Sequence, residues 1–200
     1  MAQSDPVFSY IGTNLFGLND VGNYATPTMA DIDGDSDLDA FVGNGDGNTL
    51  FFKNEGSISN PIFNAPITNP FGITNVSSFA NPSFVDIDGD NDLDVFVGNG
   101  AGNMFFFKNI GIFSKPIFAA PIINPFGLED VGVYATPSFV DIDADGDIDV
   151  FVGTIYGLLF SKNIGTANDP KFSSLESSSP GLFSGGFYLH PNFVDIDGDG

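Results

Sequence analysis

Asp31-Ile32-Asp33-Gly34-Asp35-Ser36-Asp37-Leu38-Asp39 sets five carboxylates in nine residues. The same run returns at residues 86–94 and 141–149, and opens once more with Asp195, Asp197 and Asp199. The four copies begin at 31, 86, 141 and 195, so they are spaced by 55, 55 and 54 residues. Carboxylates at this density repel one another strongly unless something neutralises them. A chain that keeps the cluster at a fixed period is therefore expected to hold a cation in it.

Hard oxygen donors at alternating positions suit Ca²⁺, which takes 6–8 oxygens at roughly 2.3–2.6 Å in flexible geometry; Mg²⁺ prefers fewer carboxylates and more water. Counted from the first Asp, positions 1, 3 and 5 supply side chains, position 7 a backbone carbonyl and position 9 a further carboxylate. The candidate metal residues are Asp31, Asp33, Asp35, Asp37 and Asp39 in the first loop, and Asp86, Asp88, Asp90, Asp92 and Asp94 in the second. Asp141, Asp143, Asp145, Asp147 and Asp149 form the third set, and Asp195, Asp197 and Asp199 a shortened fourth. Three complete calcium sites and a truncated fourth are expected.

The likeness to an EF-hand is partial. That motif needs Gly at position 6 and Glu at position 12, between two helices. Here position 6 is Ser36, Asn91 or Gly146, and position 12 is Val42, Val97 or Val152. The flanks, such as Phe84-Val85 before the loop and Phe96-Val97 after it, are short, aromatic and β-branched. They predict strands on both sides.

Each loop sits inside a longer repeated unit. Pro27, Pro82, Pro137 and Pro191 open the strand before the loop, where a missing N–H is tolerated. After the loop comes a strand such as residues 39–43, then a glycine-rich turn (43–48, 98–103, 153–158) suited to a tight hairpin. A third strand follows at residues 50–54, 105–109 and 159–163. A fourth, outer strand ends in Phe-Gly at residues 62–73 and 117–128, with a counterpart at 7–18. An aromatic residue recurs on the same period at Tyr24, Phe79, Tyr134 and Tyr188.

Four short strands on a period near 55, with no helical spacing, predict an all-β propeller of four-stranded blades. The repeats run over about 27–81, 82–136 and 137–190, with a truncated repeat at 191–200. About 3.6 blades are present in one partial propeller domain spanning 1–200, and the chain is expected to belong to a longer propeller. Stacked blades would bury the rows of Phe and Val, consistent with 23 Phe and no Trp.

The run Phe-Val-Asp-Ile-Asp-Gly-Asp-x-Asp-Leu-Asp-x-Phe-Val-Gly, with Phe-Phe-Lys-Asn and Phe-Gly downstream, resembles the FG-GAP/VCBS-type repeat. That family includes the calcium-binding blades of integrin α-subunit propellers and many secreted bacterial proteins. The resemblance covers about residues 7–200. It implies a seven-bladed propeller with calcium in the loops named above, used mostly as a binding and adhesion scaffold. Ala144 departs from the pattern, standing where the other loops carry Gly34, Gly89 and Gly198.

Composition narrows the function. There are 26 acidic residues, 5 lysines and no arginine, and the net charge is −21. Eighteen of the 26 acids lie in the four loops, so the charge belongs mainly to candidate metal sites. Nucleic acid and anionic lipid are not expected partners, since both are bound through Lys and Arg. Cysteine is absent, so no disulfide framework exists. Weak calcium sites fill at extracellular calcium levels, which points outside the cell. No N-terminal signal peptide is visible in residues 1–6. No run of 18 apolar residues occurs, so membrane insertion is not expected.

The leading reading is a calcium-stabilised extracellular binding or adhesion scaffold recognising a glycan or a protein, without enzymatic activity. Two alternatives remain: part of a secreted propeller lyase or hydrolase acting on polysaccharide, and a purely structural repeat segment of a large surface protein. An enzyme would need convergent Arg, Lys, His or Tyr outside the repeat, whereas His190 is the single histidine and occupies a variable repeat position. Lys53, Lys108 and Lys162 recur with the repeat and read as structural. Open blade edges leave self-association as a further expectation.

Overall fold

The structure, a computed structural model, describes residues 12–177 and 188–194. It contains three four-stranded antiparallel sheets and, among the described residues, no α-helix. The first sheet is β1 (Thr26–Ala30), β2 (Asp39–Gly43), β3 (Thr49–Phe52) and β4 (Ile67–Thr68). The second is β5 (Asn81–Val85), β6 (Asp94–Gly98), β7 (Met104–Phe107) and β8 (Ile122–Ile123). The third is β9 (Thr136–Val140), β10 (Asp149–Gly153), β11 (Leu158–Ser161) and β12 (Glu176–Ser177). Each sheet is a simple meander in chain order, as in a propeller blade. The first strands of successive sheets, β1, β5 and β9, lie side by side.

Alternation builds the blades. In β6 every residue is buried, because Val95 and Val97 face one neighbouring blade while Phe96 faces the other. Phe96 packs on Phe106 of its own sheet at 4.8 Å between ring centroids, and on Phe139 of the next at 4.5 Å. Phe41 repeats the arrangement with Phe51 (4.8 Å) and Phe84 (4.4 Å), and Phe151 with Phe160 (4.8 Å) and Phe193 (4.6 Å). Burying one such side chain stabilises the fold by about 1.5–3 kcal/mol. The core is thus a series of Phe layers between blades, so each sheet depends on its neighbour.

Close backbone approach fixes the glycines that end the second strands. A Cβ on Gly43, Gly98 or Gly153 would lie 1.9–2.1 Å from the carbonyl oxygen of Ala80, Ala135 or Leu189 in the following repeat. The Phe-Gly pairs do similar work at the outer edge. Phe71 has φ 58°, and its carbonyl accepts the N–H of Phe118 at 2.8 Å in the next blade. A Cβ on Gly72 would meet the Phe118 carbonyl oxygen at 2.5 Å.

The outer strand is shorter than the sequence predicts. In place of strands over 62–73 and 117–128, the chain makes one isolated bridge (Asn54 with Phe63, Asn109 with Phe118) and a two-residue strand. Pro66 and Pro70 remove two donors from the first of these segments, and the left-handed Phe71 breaks the pleat. Of the counterpart expected over 7–18, residues 7–11 lie outside the described residues. Residues 12–18 hold a 3₁₀ turn at Leu15–Gly17 instead of a strand.

Gly98→Ala forces a methyl against a backbone carbonyl that cannot move independently of its blade. We expect a loss of about 1–3 kcal/mol, read as a lower urea midpoint. Gly132→Ala, with no atom within 4 Å of its Cβ position but φ +88°, should show only left-handed strain, about 1 kcal/mol.

Candidate metal centre

The acidic loops connect the first and second strands of each blade, β1 to β2, β5 to β6 and β9 to β10. Each wraps around its first aspartate. The Asp31 carboxylate accepts the N–H groups of Gly34 (2.8 Å) and Ser36 (3.1 Å). Asp86 accepts those of Asp90 (3.1 Å) and Asn91 (2.9 Å), and Asp141 those of Asp145 (3.2 Å) and Gly146 (2.9 Å). Positions 4 and 6 turn left-handed in all three loops: Gly34 and Ser36, Gly89 and Asn91, Ala144 and Gly146. Ala144, at φ 58°, follows the same backbone path as the glycines it replaces, at a steric cost of about 1–2 kcal/mol.

This winding gathers three carboxylates per loop. Asp31, Asp33 and Asp35 each offer an oxygen within 4.8 Å of the others, as do Asp86, Asp88 and Asp90, and Asp141, Asp143 and Asp145. Each triad could hold a metal ion. Asp37, Asp92 and Asp147 are not in the triads; their N–H groups bond to Asp35 (3.1 Å), Asp90 (3.0 Å) and Asp145 (3.0 Å). Asp39, Asp94 and Asp149 begin the second strands and are fully buried. One oxygen of each accepts a backbone N–H, from Asn54, Asn109 or Asn163, at 2.7 Å. The fourth set, Asp195, Asp197 and Asp199, lies outside the described residues.

The donor chemistry fits a cation. One buried oxygen on each of Asp33, Asp88, Asp39, Asp94 and Asp149 has no hydrogen-bond partner. Buried acceptors are nearly always paired, and a buried carboxylate without a counter-charge is expensive. A cation in the loop would satisfy such oxygens; a purely solvated acidic turn would not contain them.

The repeated lysines belong to this centre. Lys53 forms an ion pair with Asp33 and lies 3.8 Å from Asp35. Lys108 pairs with Asp88 and, at 3.4 Å, with Asp90; Lys162 pairs with Asp143 and, at 3.0 Å, with Asp145. Hydrogen bonding to the aspartates raises the pKa of all three ammonium groups. The asparagines beside them are the residues that sequence reasoning missed. Besides clamping Asp39, Asn54 uses its side-chain oxygen to accept the N–H groups of Gly56 (3.0 Å) and Ile62 (2.9 Å). The only signal was the recurring Lys-Asn pair.

The next blade leans on each loop. The ring of Phe113 lies where a Cβ on Gly34 would be, 2.3 Å from Cε1. Asn168 donates to the Asp88 carbonyl at 2.7 Å across 80 residues of sequence. Ile32 and Ile87, between the triad aspartates, are each buried in an inter-blade cluster.

Burial pushes the Asp39 carboxyl up to about 6 and Asp94 up to about 7, against the opposing hydrogen bonds from Asn54 and Asn109. Asp149 is raised for the same reason. An acid raised in the folded state binds its proton more tightly than in the unfolded chain. The metal-free fold therefore holds more protons, and loses stability as pH rises from about 4 through about 7. In chelator, Asp94→Asn, which cannot ionise, should reduce the fall in urea midpoint between about pH 5 and about pH 8; an unchanged fall would contradict this assignment. Ala144→Gly should raise the midpoint by relieving left-handed strain, by about 1 kcal/mol.

The match to a known repeat follows this geometry. The model of the FG-GAP-like repeat matches residues 31–97 and again residues 86–152. Each match runs from the first aspartate of one loop to the strand after the next, and together they cover more than half of the chain. A comparison with curated proteins finds no match. Among the described residues no helix is long and apolar enough to cross a membrane. With its acidic loops and Lys-Asn pairs set on three successive blades and Phe-Gly edges beside them, the chain belongs to the FG-GAP-like repeat family.

Proposed function

We propose that the chain is a calcium-stabilised extracellular binding scaffold, with Ca²⁺ in each acidic loop and no enzymatic activity of its own. The observation that supports it most is the set of buried, unpartnered carboxylate oxygens recurring in the loops. Asp31, Asp33 and Asp35 would hold the ion in the first blade, Asp86, Asp88 and Asp90 in the second, and Asp141, Asp143 and Asp145 in the third. Asp39, Asp94 and Asp149 would add negative charge beneath them. Loops built from carboxylates and carbonyls favour Ca²⁺ over Mg²⁺, which retains its waters. The ion would supply charge neutralisation and cross-linking of the loop, not chemistry.

An extracellular setting follows from the same argument, since calcium is abundant there and weak sites would be filled. The repeated polar clusters are absorbed by loop and blade structure, which leaves, among the described residues, no separate constellation for acid–base or nucleophilic catalysis. Recognition of a glycan or a protein is the role this scaffold suits.

Thermal melts in millimolar Ca²⁺ and in excess chelator test the reading. Each site at a hundredfold excess over Kd adds about 2.7 kcal/mol, and a chain of this size gains about 2–4 °C per kcal/mol. Filling three sites should therefore raise Tm by more than about 10 °C. Equal melts would remove the support for structural calcium, and an equal response to Mg²⁺ would overturn the choice of ion.

A further inference from the structure

Tyr24, Phe79 and Tyr134 stand two residues before β1, β5 and β9, Tyr188 holds the same place in the fourth repeat, and the metal centres do not use them. All four have left-handed backbones, with φ 56°, 46°, 56° and 59°, which bulky residues normally avoid. Two blades hold each inner one in place. The Phe79 N–H bonds to the Gly45 carbonyl at 3.0 Å, and Gly100 N–H to the Ser78 carbonyl at 3.0 Å; the Tyr134 N–H bonds to the Gly100 carbonyl at 3.2 Å. The rings run edge-to-face from blade to blade, with centroids 4.7, 4.6 and 5.0 Å apart. Tyr24 and Tyr188 nevertheless remain 65% and 56% exposed. Strain over-determined in this way is characteristic of ligand sites.

The row borders a cavity of about 320 Å³ whose remaining walls are Thr26, Asn81, Thr136, Leu189 and His190. That volume is at the lower end of small-molecule sites, about 300–1,000 Å³. The cavity shares Thr26, Asn81, Thr136 and His190 with a larger recess of about 600 Å³ along β1, β5 and β9. Among the described residues no Asp, Glu or Lys lines either one, although the chain carries a net charge of −21.

The Asn81 and threonine oxygens there have accepting capacity left, while the His190 imidazole and the tyrosine hydroxyls can also donate. Asn81 is 93% buried, being 7% exposed, and its Oδ1 has no partner. Its Nδ2 is already used, donating to the Phe79 carbonyl at 2.7 Å. The Thr26 hydroxyl donates to the Ala80 carbonyl at 2.6 Å, and the Thr136 hydroxyl donates to the Leu189 carbonyl at 2.5 Å with the Gly153 carbonyl 3.0 Å away. Their remaining capacity is for accepting. A complementary ligand has apolar faces for the rings and several O–H donors for Asn81 Oδ1 and the threonine oxygens. It carries no charge, because no counter-charge lines the walls. A pyranose has this combination.

We propose that the aromatic row and its cavity form a binding site for a neutral sugar ring, with Tyr24, Phe79, Tyr134 and Tyr188 as the stacking surface and Asn81 as the buried acceptor. This rests on the reading of the chain as a binding scaffold and names its ligand class. The site is formed jointly by three blades, so one repeat alone does not contain it.

The chain has five Tyr and no Trp, so tyrosine fluorescence reports on the row directly. The probes are the methyl glycosides of glucose, galactose, mannose and N-acetylglucosamine, titrated at millimolar concentration into the full chain in Ca²⁺, with tetramethylammonium as a cationic control. At least one glycoside should give a saturable change. Tyr24→Gly, which removes a ring while relieving the left-handed strain, should weaken it by about tenfold, or 1.4 kcal/mol, without lowering Tm. Asn81→Leu should weaken it at least as much, and Tyr156→Ala, outside the cavity, should leave it unchanged. Silence from every glycoside, equal affinity in Tyr24→Gly, or a response to tetramethylammonium alone would each overturn the sugar site. Because the calcium melt is read separately, failure of the sugar site is distinguishable from failure of the scaffold reading.

Discussion

Mutual repulsion among carboxylates is the constraint on which this protein turns. Each loop gathers three aspartates into one cluster and buries a fourth beneath it. Backbone N–H groups and a lysine offset part of that charge. They leave several buried oxygens unpartnered, so the polypeptide alone does not satisfy its own loops. The backbone geometry follows from this, since only two left-handed residues per loop let the chain fold tightly enough to face its acidic side chains inward. The blades on either side supply the rigidity that keeps the cluster together.

Packing and electrostatics are joined at the second strand of each blade. Its first residue is the buried aspartate, its middle residue is the Phe that packs on its own sheet and on the following one, and its last is the glycine under the following repeat's carbonyl. Five residues thus carry the charge, the inter-blade core and the close approach. Little freedom remains there, which explains why Asp-x-Phe-Val-Gly recurs with so little change in the sequence.

Much of this was legible in the chain itself. The acidic runs and their flanking Phe-Val pairs place the loops, and the second strand over residues 39–43 appears where alternation predicts it. The outer strand was not legible, because two prolines and a left-handed Phe71 break a segment that reads as apolar and extended. The lysine pairs and the asparagine clamp were missed for a different reason. Lys53 reaches Asp33 across 20 residues and Asn54 reaches Asp39 across 15, and a periodic sequence shows that such residues recur, not what they touch. Likewise, the aromatic period was visible, but the left-handed backbone that turns the rings toward one another was not.

The contact of Phe113 with Gly34 and of Asn168 with Asp88 has a direction: in both cases the later blade rests on the loop of the earlier one. The array therefore has a polarity. An ion held in one loop would brace the seat of the blade that follows it and only indirectly the blade before. Under tension such an arrangement behaves like a row of riveted plates, in which each rivet fixes the overlap with the next plate. Occupancy of the loops would then set how readily the array opens, and from which end the opening spreads.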